Sequence, residues 1–269
     1  MRPVAVAGVG LFCPAGIGTL GATGGRPGEV PGFRARAYIA ERKNLKLMSR
    51  AVKLGVSAIA VALADSGKWD TAPPERRGMF VGSTPIGGEM ADLIPALEAA
   101  MNEDASLDLG RFARKGYHLI HPLWLVKGLS NNVLGFASAT HDFQGVNANY
   151  CDGDASGEHA LTEGWAAVAE GRADVVVAGA SDSWVGLEQL LPGRKCSEGA
   201  AFFVLKPATG GEPWVLEPAT PDAPGEVLPE EDFELGYLGA ADVVVRLARA
   251  LLRGERPSFS GAGMTLRFR

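Results

Sequence analysis

The segment 145–161 constrains the fold more than any other part of the chain. Residues 146–150 predict a short strand, 152–154 a sharp turn and 156–170 a helix, because apolar side chains recur in that last stretch at helical spacing. Another apolar run, 173–180, predicts the next strand. This alternation of strand and helix is typical of an α/β protein, and it places the side chain of Asp154 at the N-terminus of a helix.

That position has a chemical character of its own. The unpaired N–H groups and the dipole at a helix N-terminus stabilise an anion and lower the pKa of a thiol, which makes the position suitable for a nucleophilic cysteine. This chain carries a carboxylate there, Asp154. The structural alternative is that Asp154 caps the helix by accepting a hydrogen bond from a backbone amide. Such a cap typically contributes about 1 kcal/mol to the free energy of unfolding.

The frame around Asp154 resembles the β-ketoacyl synthases of the thiolase superfamily. In that family Gly-Pro-Asn, a short strand and Ala-Cys-Ala-Ser-Gly precede a helix, and counting from Gly145 without a gap places Asp154 on the acyl-accepting cysteine. Further matches follow in the family's order at 4–16, 38–50, 77–82, 121–132 and 197–200. Each glycine motif is weak alone, but their order and spacing make the resemblance strong.

The resemblance implies a thiolase-like fold with a layered α-β-α arrangement, intact in its first half and strongly reduced in its second. We predict a single thiolase-like domain, 1–269, made of a synthase N-terminal half at 1–206, a linker at the excised region, 207–235, and a remnant of the C-terminal half at 236–269. Within the linker, 207–229 is rich in glycine and proline and is predicted as a loop. Residues 236–241 resemble a family motif that carries a histidine, with Tyr237 in its place.

The other predicted elements follow from apolar patterning. Strands are expected at 4–9, 78–81, 174–178, 200–205 and 264–269, and helices at 47–65 and 239–252.

By this resemblance the chain lacks the family's whole Cys-His-His set. Condensation needs a thiolate to hold the acyl chain and donors to stabilise an enolate. An acyl-aspartate would be an anhydride that water hydrolyses quickly, and the charge of Asp154 would oppose the enolate. We therefore predict no catalytic residue for condensation and no condensing activity in this chain alone.

Chain-length factors also lack the cysteine, although most of them carry glutamine at the position of Asp154. The resemblance to them implies a heterodimer with a cysteine-bearing β-ketoacyl synthase, in a fatty acid or polyene-type polyketide system, served by an acyl carrier protein through the complex. It also implies a partner interface on strand residues Val146, Asn147, Ala148, Asn149 and Tyr150. Residues that would shape or block the acyl tunnel, with ordinary packing as an equal alternative, are Leu123, Trp124, Leu125, Leu129, Asn132, Val133 and Phe136.

The large deletion favours a partner as well, since a half-fold with exposed apolar surface usually needs something to cover it. Two other functions stay open: a stand-alone thiolase-fold enzyme that hydrolyses or decarboxylates an acyl thioester with Asp154 or Cys151, and a homodimeric scaffold with no acyl role. At Cys151 the sequence favours a small buried side chain over a reactive thiol. At His159, one turn into the helix, it favours a structural role.

Composition excludes several other classes. The net charge of −5 disfavours nucleic-acid binding, and the basic residues Arg42, Lys43, Lys46, Arg50 and Lys53 are predicted as a solvated helix face rather than a docking site for an acidic carrier. Three cysteines, the absence of a secretory signal and the lack of a bilayer-length apolar run predict a cytoplasmic, non-membrane protein. No metal or cofactor is predicted: His118 and His121 lack a third ligand, and the glycines at 8–18 fail the dinucleotide pattern.

Overall fold

The computed structural model describes residues 1–84, 92–219, 226–227 and 235–269. The strands are β1 (Val4–Cys13), β2 (Gly16–Ile17), β3 (Arg77–Gly82), β4 (Asn147–Tyr150), β5 (Val175–Ser183), β6 (Glu198–Pro207), β7 (Val215–Pro218), β8 (Glu226–Val227), β9 (Pro257–Gly261) and β10 (Met264–Phe268). The α-helices are α1 (Arg50–Asp65), α2 (Ile94–Glu98), α3 (Leu109–Arg111), α4 (Trp124–Lys127), α5 (Asn132–His141), α6 (Ser156–Ala169) and α7 (Asp242–Leu252).

Most predicted elements are confirmed, and the differences occur at their ends. Helix α1 begins at Arg50 rather than at 47, because the Ser49 side chain accepts a bond from the Val52 amide and 42–47 forms a 3-10 helix instead. Gly8 and Gly10 on β1 allow α1 to approach closely, since a Cβ on Gly10 would lie 2.0 Å from the Ala58 carbonyl oxygen. Packing thus explains the glycines that fail the dinucleotide pattern.

The strands of the described residues join in one sheet, in the order β4-β3-β5-β6-β1-β7-β10-β9-β8, with β2 beside β1. The order has a pseudo-two-fold centre between β1 and β7. On one side β3-β5 is parallel while β5-β6 and β6-β1 are antiparallel; on the other β8-β9 is parallel while β9-β10 and β10-β7 are antiparallel. Helices α6 and α7 precede the equivalent strands β5 and β9. The second half is therefore a reduced copy of the first.

The predicted loop at 207–229 is wrong over Val215–Pro218 and Glu226–Val227, which are strands. Strand β7 is the pseudo-symmetric counterpart of β1 and pairs with it, so that Val4 lies opposite Leu216. The prolines on either side of this short strand made the segment resemble a loop, so the strand was not predicted. Strand β7 thus joins the sheet from within the segment that was predicted as a linker.

The helices pack on the sheet in layers. Helices α1 and α5 cover one face of the first half, while α6 and α7 lie on the other face, where both also contact β9. Two large apolar clusters, one on each side of the first-half sheet, form the core. None of the described helices is long and apolar enough to cross a membrane.

The outer face of the second-half sheet is polar. Its strands turn apolar side chains such as Leu216, Leu266 and Phe268 into the core. On the other side, Arg267 binds Glu217 at 2.8 Å, and the hydroxyls of Ser260 and Thr265 lie 2.9 Å apart. Among the described residues of this half no large apolar side chain is exposed, so they do not show the apolar surface that was expected of a half-fold.

Candidate functional site

The turn before α6 has the predicted strand–turn–helix form. Gly153, with a φ of +74°, lies in the left-handed region that favours glycine. The hydroxyl of Ser156 accepts a bond from the Asp152 amide at 3.0 Å and donates to the Gly153 carbonyl at 2.6 Å. These local bonds fix the chain just where the Asp154 side chain leaves it.

Asp154 and Tyr237 contact each other. They are the two residues predicted to stand where the family has its catalytic cysteine and one catalytic histidine. The Tyr237 hydroxyl donates a hydrogen bond of 2.5 Å to Asp154 Oδ1, across 83 positions of sequence. Among the described residues no side-chain cap bond is found at the start of α6, so the structure does not support the alternative in which Asp154 caps the helix. The Asp154 carboxylate accepts its hydrogen bond from Tyr237, and a 3-10 turn at Gly153–Ala155 leads into the helix.

Tyr237 is held in place from several sides. Its backbone amide donates to Lys195 O at 2.8 Å, and its carbonyl accepts from Ser197 N at 3.0 Å. The Arg194 guanidinium lies 4.7 Å from the ring centroid and the Trp184 ring 5.2 Å away. Burial, and then the bond to Asp154, raise the pKa of Tyr237 well above its usual range. Tyr237 is consequently a neutral donor at physiological pH and is unsuited to take a proton as a base.

A buried carboxylate, Asp182, lies next to this pair. One oxygen accepts from the Ser183 amide at 2.9 Å and the Thr84 hydroxyl at 3.2 Å; the other accepts from Trp184 Nε1 at 2.8 Å and the Ala240 amide at 3.0 Å. Burial raises the pKa of Asp182 to about 6, against the lowering effect of these four bonds. Sequence reasoning missed Asp182, although a run of polar residues at the end of a buried strand signals it.

Two residues beside the turn differ in their environments. Cys151 is exposed, so the prediction of a buried side chain is wrong; it lies just beyond the end of β4 at the sheet edge, with its Sγ 3.7 Å from Ser83 Oγ. His159 pairs through Nδ1 with the Asp152 carboxylate and lies edge-on to the Tyr150 ring. Among the described residues, no group of three His, Cys, Asp or Glu side chains could hold a metal ion.

The predicted tunnel residues separate into two groups. Leu123, Leu125 and Leu129 are exposed, and Leu125 is 72% accessible. Val133, by contrast, is buried in the cluster that contains α1, and the Asn132 side chain donates to the carbonyl of Val126 at 2.5 Å. Trp124 and Phe136 are half-buried. Packing therefore accounts for the second group, whereas the exposed leucines are available to a partner.

Exposed apolar side chains concentrate in one part of the chain, which we call the 94–129 surface. It contains ten of the thirteen large hydrophobic residues that are exposed in the described structure: Ile94, Met101, Leu107, Leu109, Tyr117, Leu119, Leu123, Leu125, Val126 and Leu129. Sequence reasoning missed the part before 122, because apolar residues in short helices do not reveal from sequence that they are exposed.

The strand β4 forms one edge of the sheet and pairs only with β3 among the described strands. Of the residues predicted to pair with a partner, Asn147 is exposed, and Val146, Ala148, Asn149 and Tyr150 are half-buried. The edge is open, as the predicted partner pairing requires.

Comparison with known proteins agrees with this geometry. A family model for the beta-ketoacyl synthase N-terminal domain matches residues 22–197. The ishigamide ketosynthase/chain length factor superposes with a TM-score of 0.72 at 15% identity, covering 99% of this chain and 98% of that chain. A type II PKS acyl-carrier protein in complex with its ketosynthase, bound to the hexaketide, gives 0.70 at 17% identity, with 100% and 99% covered. A β-ketoacyl synthase from Burkholderia phymatum gives 0.70 at 14%, with 100% and 98% covered. The predicted thiolase-like fold is confirmed.

Proposed function

The chain belongs to the β-ketoacyl synthase family, and we propose that within it the chain is a non-catalytic subunit of the chain-length-factor type, paired with a synthase that carries the nucleophilic cysteine. The observation that carries this proposal is the hydrogen bond between Asp154 and Tyr237. A carboxylate and a neutral phenol occupy the predicted positions of a cysteine and a histidine, and they satisfy each other. Neither is a thiolate that could hold an acyl chain.

The surface of the molecule supports a partner. Exposed apolar side chains that cluster on a soluble protein commonly mark interaction sites, and ten of the thirteen exposed large apolar side chains of the described structure come from 94–129. The open edge of β4 offers unpaired backbone groups, to which a partner's strand can bind. Since the outer face of the second half is polar, the partner is expected at these two features and not over the deletion.

The substrate of the proposed complex is an acyl chain on a carrier protein, in a fatty acid or polyene-type polyketide system. Two structural neighbours are a ketosynthase/chain length factor and a ketosynthase in complex with its acyl-carrier protein, which supports this choice. In the complex, the exposed residues Leu123, Leu125 and Leu129 would border the partner's tunnel, with half-buried Trp124 beside them.

The proposal is tested by charge substitution on the 94–129 surface. We expect Leu125→Glu to weaken the complex with a co-expressed synthase at least tenfold, because it buries a charge at an apolar contact. Leu20→Glu is the matched control, since Leu20 is 79% exposed but lies outside this surface. Titration by light scattering or calorimetry gives both affinities; equal binding by the two variants would contradict the proposed interface.

The exposed thiol of Cys151 favours one alternative function, that of a stand-alone enzyme that hydrolyses or decarboxylates an acyl thioester. This candidate predicts thioester turnover by the purified chain that Cys151→Ala abolishes. If neither the wild-type chain nor the Cys151→Ala variant turns over the thioester, this alternative is excluded.

A further inference from the structure

A short turn within the 94–129 surface combines exposed cations with exposed apolar side chains. It consists of residues 113–119, where a π-helical turn at Phe112–Gly116 is followed by a 3-10 turn at Tyr117–Leu119. Six of these seven residues are exposed, and the seventh, Gly116, is buried. A Cβ on Gly116 would lie 2.5 Å from the carbonyl oxygen of the buried residue Ala96. The backbone of the turn is therefore held against α2, and the side chains on either side of Gly116 face solvent.

Positive charge predominates in this part of the chain. Residues 109–141 contain four Arg and Lys residues and no Asp or Glu, in a chain whose net charge is −5. Two of these four cations are paired within the molecule. The Arg111 guanidinium lies 3.7 Å from the Asp108 carboxylate, and the Lys127 ammonium lies 2.8 Å from that of Asp92.

The other two cations, Arg114 and Lys115, belong to the turn. Both are exposed, and neither forms an ion pair within the described part of the chain. Asp108 lies near Arg114, but its carboxylate already accepts the Arg111 amide at 2.8 Å and pairs with that side chain. Glu98, exposed at the end of α2, forms no ion pair with either cation. The turn thus offers two positive charges to a molecule that binds there.

Apolar side chains lie directly beside these charges. Tyr117 is 64% exposed and Leu119 is 52% exposed. Since all four side chains lie within six consecutive residues, chain connectivity keeps them in one small area. Tyrosine and arginine are among the residues that most often dominate the binding energy of protein interfaces. The turn therefore has the composition of a recognition element.

We propose that the turn 113–119 orients the synthase partner, and that the partner's matching face carries carboxylates opposite Arg114 and Lys115 beside an apolar recess for Tyr117 and Leu119. This inference rests on the proposed function. Complementary charges speed encounter and fix the relative orientation of two proteins, whereas the exposed leucines at 123–129 give apolar contact with little directionality.

Charge reversal tests the inference, with the purified synthase as the probe. At low salt we expect Lys115→Glu to weaken the complex roughly tenfold and Lys115→Arg to bind as the wild type does. Lys43→Glu is the matched control, because the Lys43 side chain is 83% exposed and lies outside this surface.

Salt dependence gives a second readout that purely apolar contact would not produce. Between about 0.05 M and about 0.5 M salt, calorimetric titration should show a marked fall in the affinity of the wild type. The neutral double variant Arg114→Gln/Lys115→Gln should show a smaller fall.

Equal binding by Lys115→Glu and Lys43→Glu at low salt would overturn the inference, as would a wild-type affinity that does not change with salt. It is also wrong if charge reversal weakens the binding of an acyl carrier protein while the synthase still binds fully. If Leu125→Glu weakens the complex and Lys115→Glu does not, the proposed function stands and only this inference fails. If the wild-type chain forms no complex with the synthase, both fail.

Discussion

At the scale of single residues, Asp154 and Tyr237 bind each other at the positions where the family is predicted to carry catalytic side chains. The phenol donates to the carboxylate, and the raised pKa of Tyr237 keeps its proton in place. The edge-to-face contact with Trp184 and the Arg194 guanidinium over the ring fix its position. The pair links the turn before α6 to the segment that leads into α7. Its role in this account is structural.

We expect a double-mutant cycle of Asp154→Ala and Tyr237→Phe to give a coupling of about 1 kcal/mol in the free energy of unfolding, as is usual for one hydrogen bond between neighbouring side chains. Denaturant titration of the four proteins measures it. Strictly additive effects would show that the bond does not form in solution.

Asp182 gives a prediction about pH. A carboxyl in an unfolded chain has a pKa of about 3.9, whereas burial raises that of Asp182 to about 6. The folded state therefore holds this proton more tightly, and the contribution of Asp182 to the free energy of unfolding falls as the pH rises from about 4 to about 6, by roughly 3 kcal/mol in all. The ¹³C shift of the Asp182 carboxyl should titrate near pH 6; a midpoint near 4 would contradict the burial argument.

At the scale of elements, the open edge of β4 is the feature with the clearest test. Met79 and Ser83 donate their amides to the carbonyls of Val146 and Tyr150, so the alternate residues Asn147 and Asn149 point their backbone groups away from β3. The amide at Asn147 then has no partner strand among the described residues and can pair with the strand of another subunit.

We expect Asn147→Pro to abolish or weaken by at least tenfold the pairing with a synthase, because proline removes the outward N–H without breaking a bond to β3. Asn147→Ala keeps that N–H and is the matched control. Circular dichroism verifies that both variants fold, and co-purification measures pairing. Full binding by the proline variant would place the interface elsewhere.

Local patterns in the sequence predicted much of this architecture, but they could not predict contacts between segments that are distant in the sequence. The strand, turn and helix around Asp154 follow from spacing within one segment, and that prediction holds. Strand β7 escaped detection because prolines surround it. The bond between Asp154 and Tyr237, like the exposure of Cys151, depends on how distant segments meet, which residue spacing does not encode.

At the scale of the whole molecule, the described part of the reduced second half exposes no large apolar side chain. Its strands keep the pseudo-symmetric order and its apolar side chains share a core with α6 and α7, while Glu217, Thr265 and Arg267 make its outer face polar. Most of the exposed large apolar side chains of the described residues lie in the first half, at 94–129. A partner is therefore proposed for function rather than to complete the fold.

The most direct test of this account is co-expression with a cysteine-bearing synthase encoded nearby, followed by light scattering of the purified material and mass spectrometry of acyl loading on each chain. The account predicts a one-to-one complex in which only the partner's cysteine carries the acyl group. A monomer or homodimer of this chain that itself becomes acylated, at Cys151 for example, would contradict it.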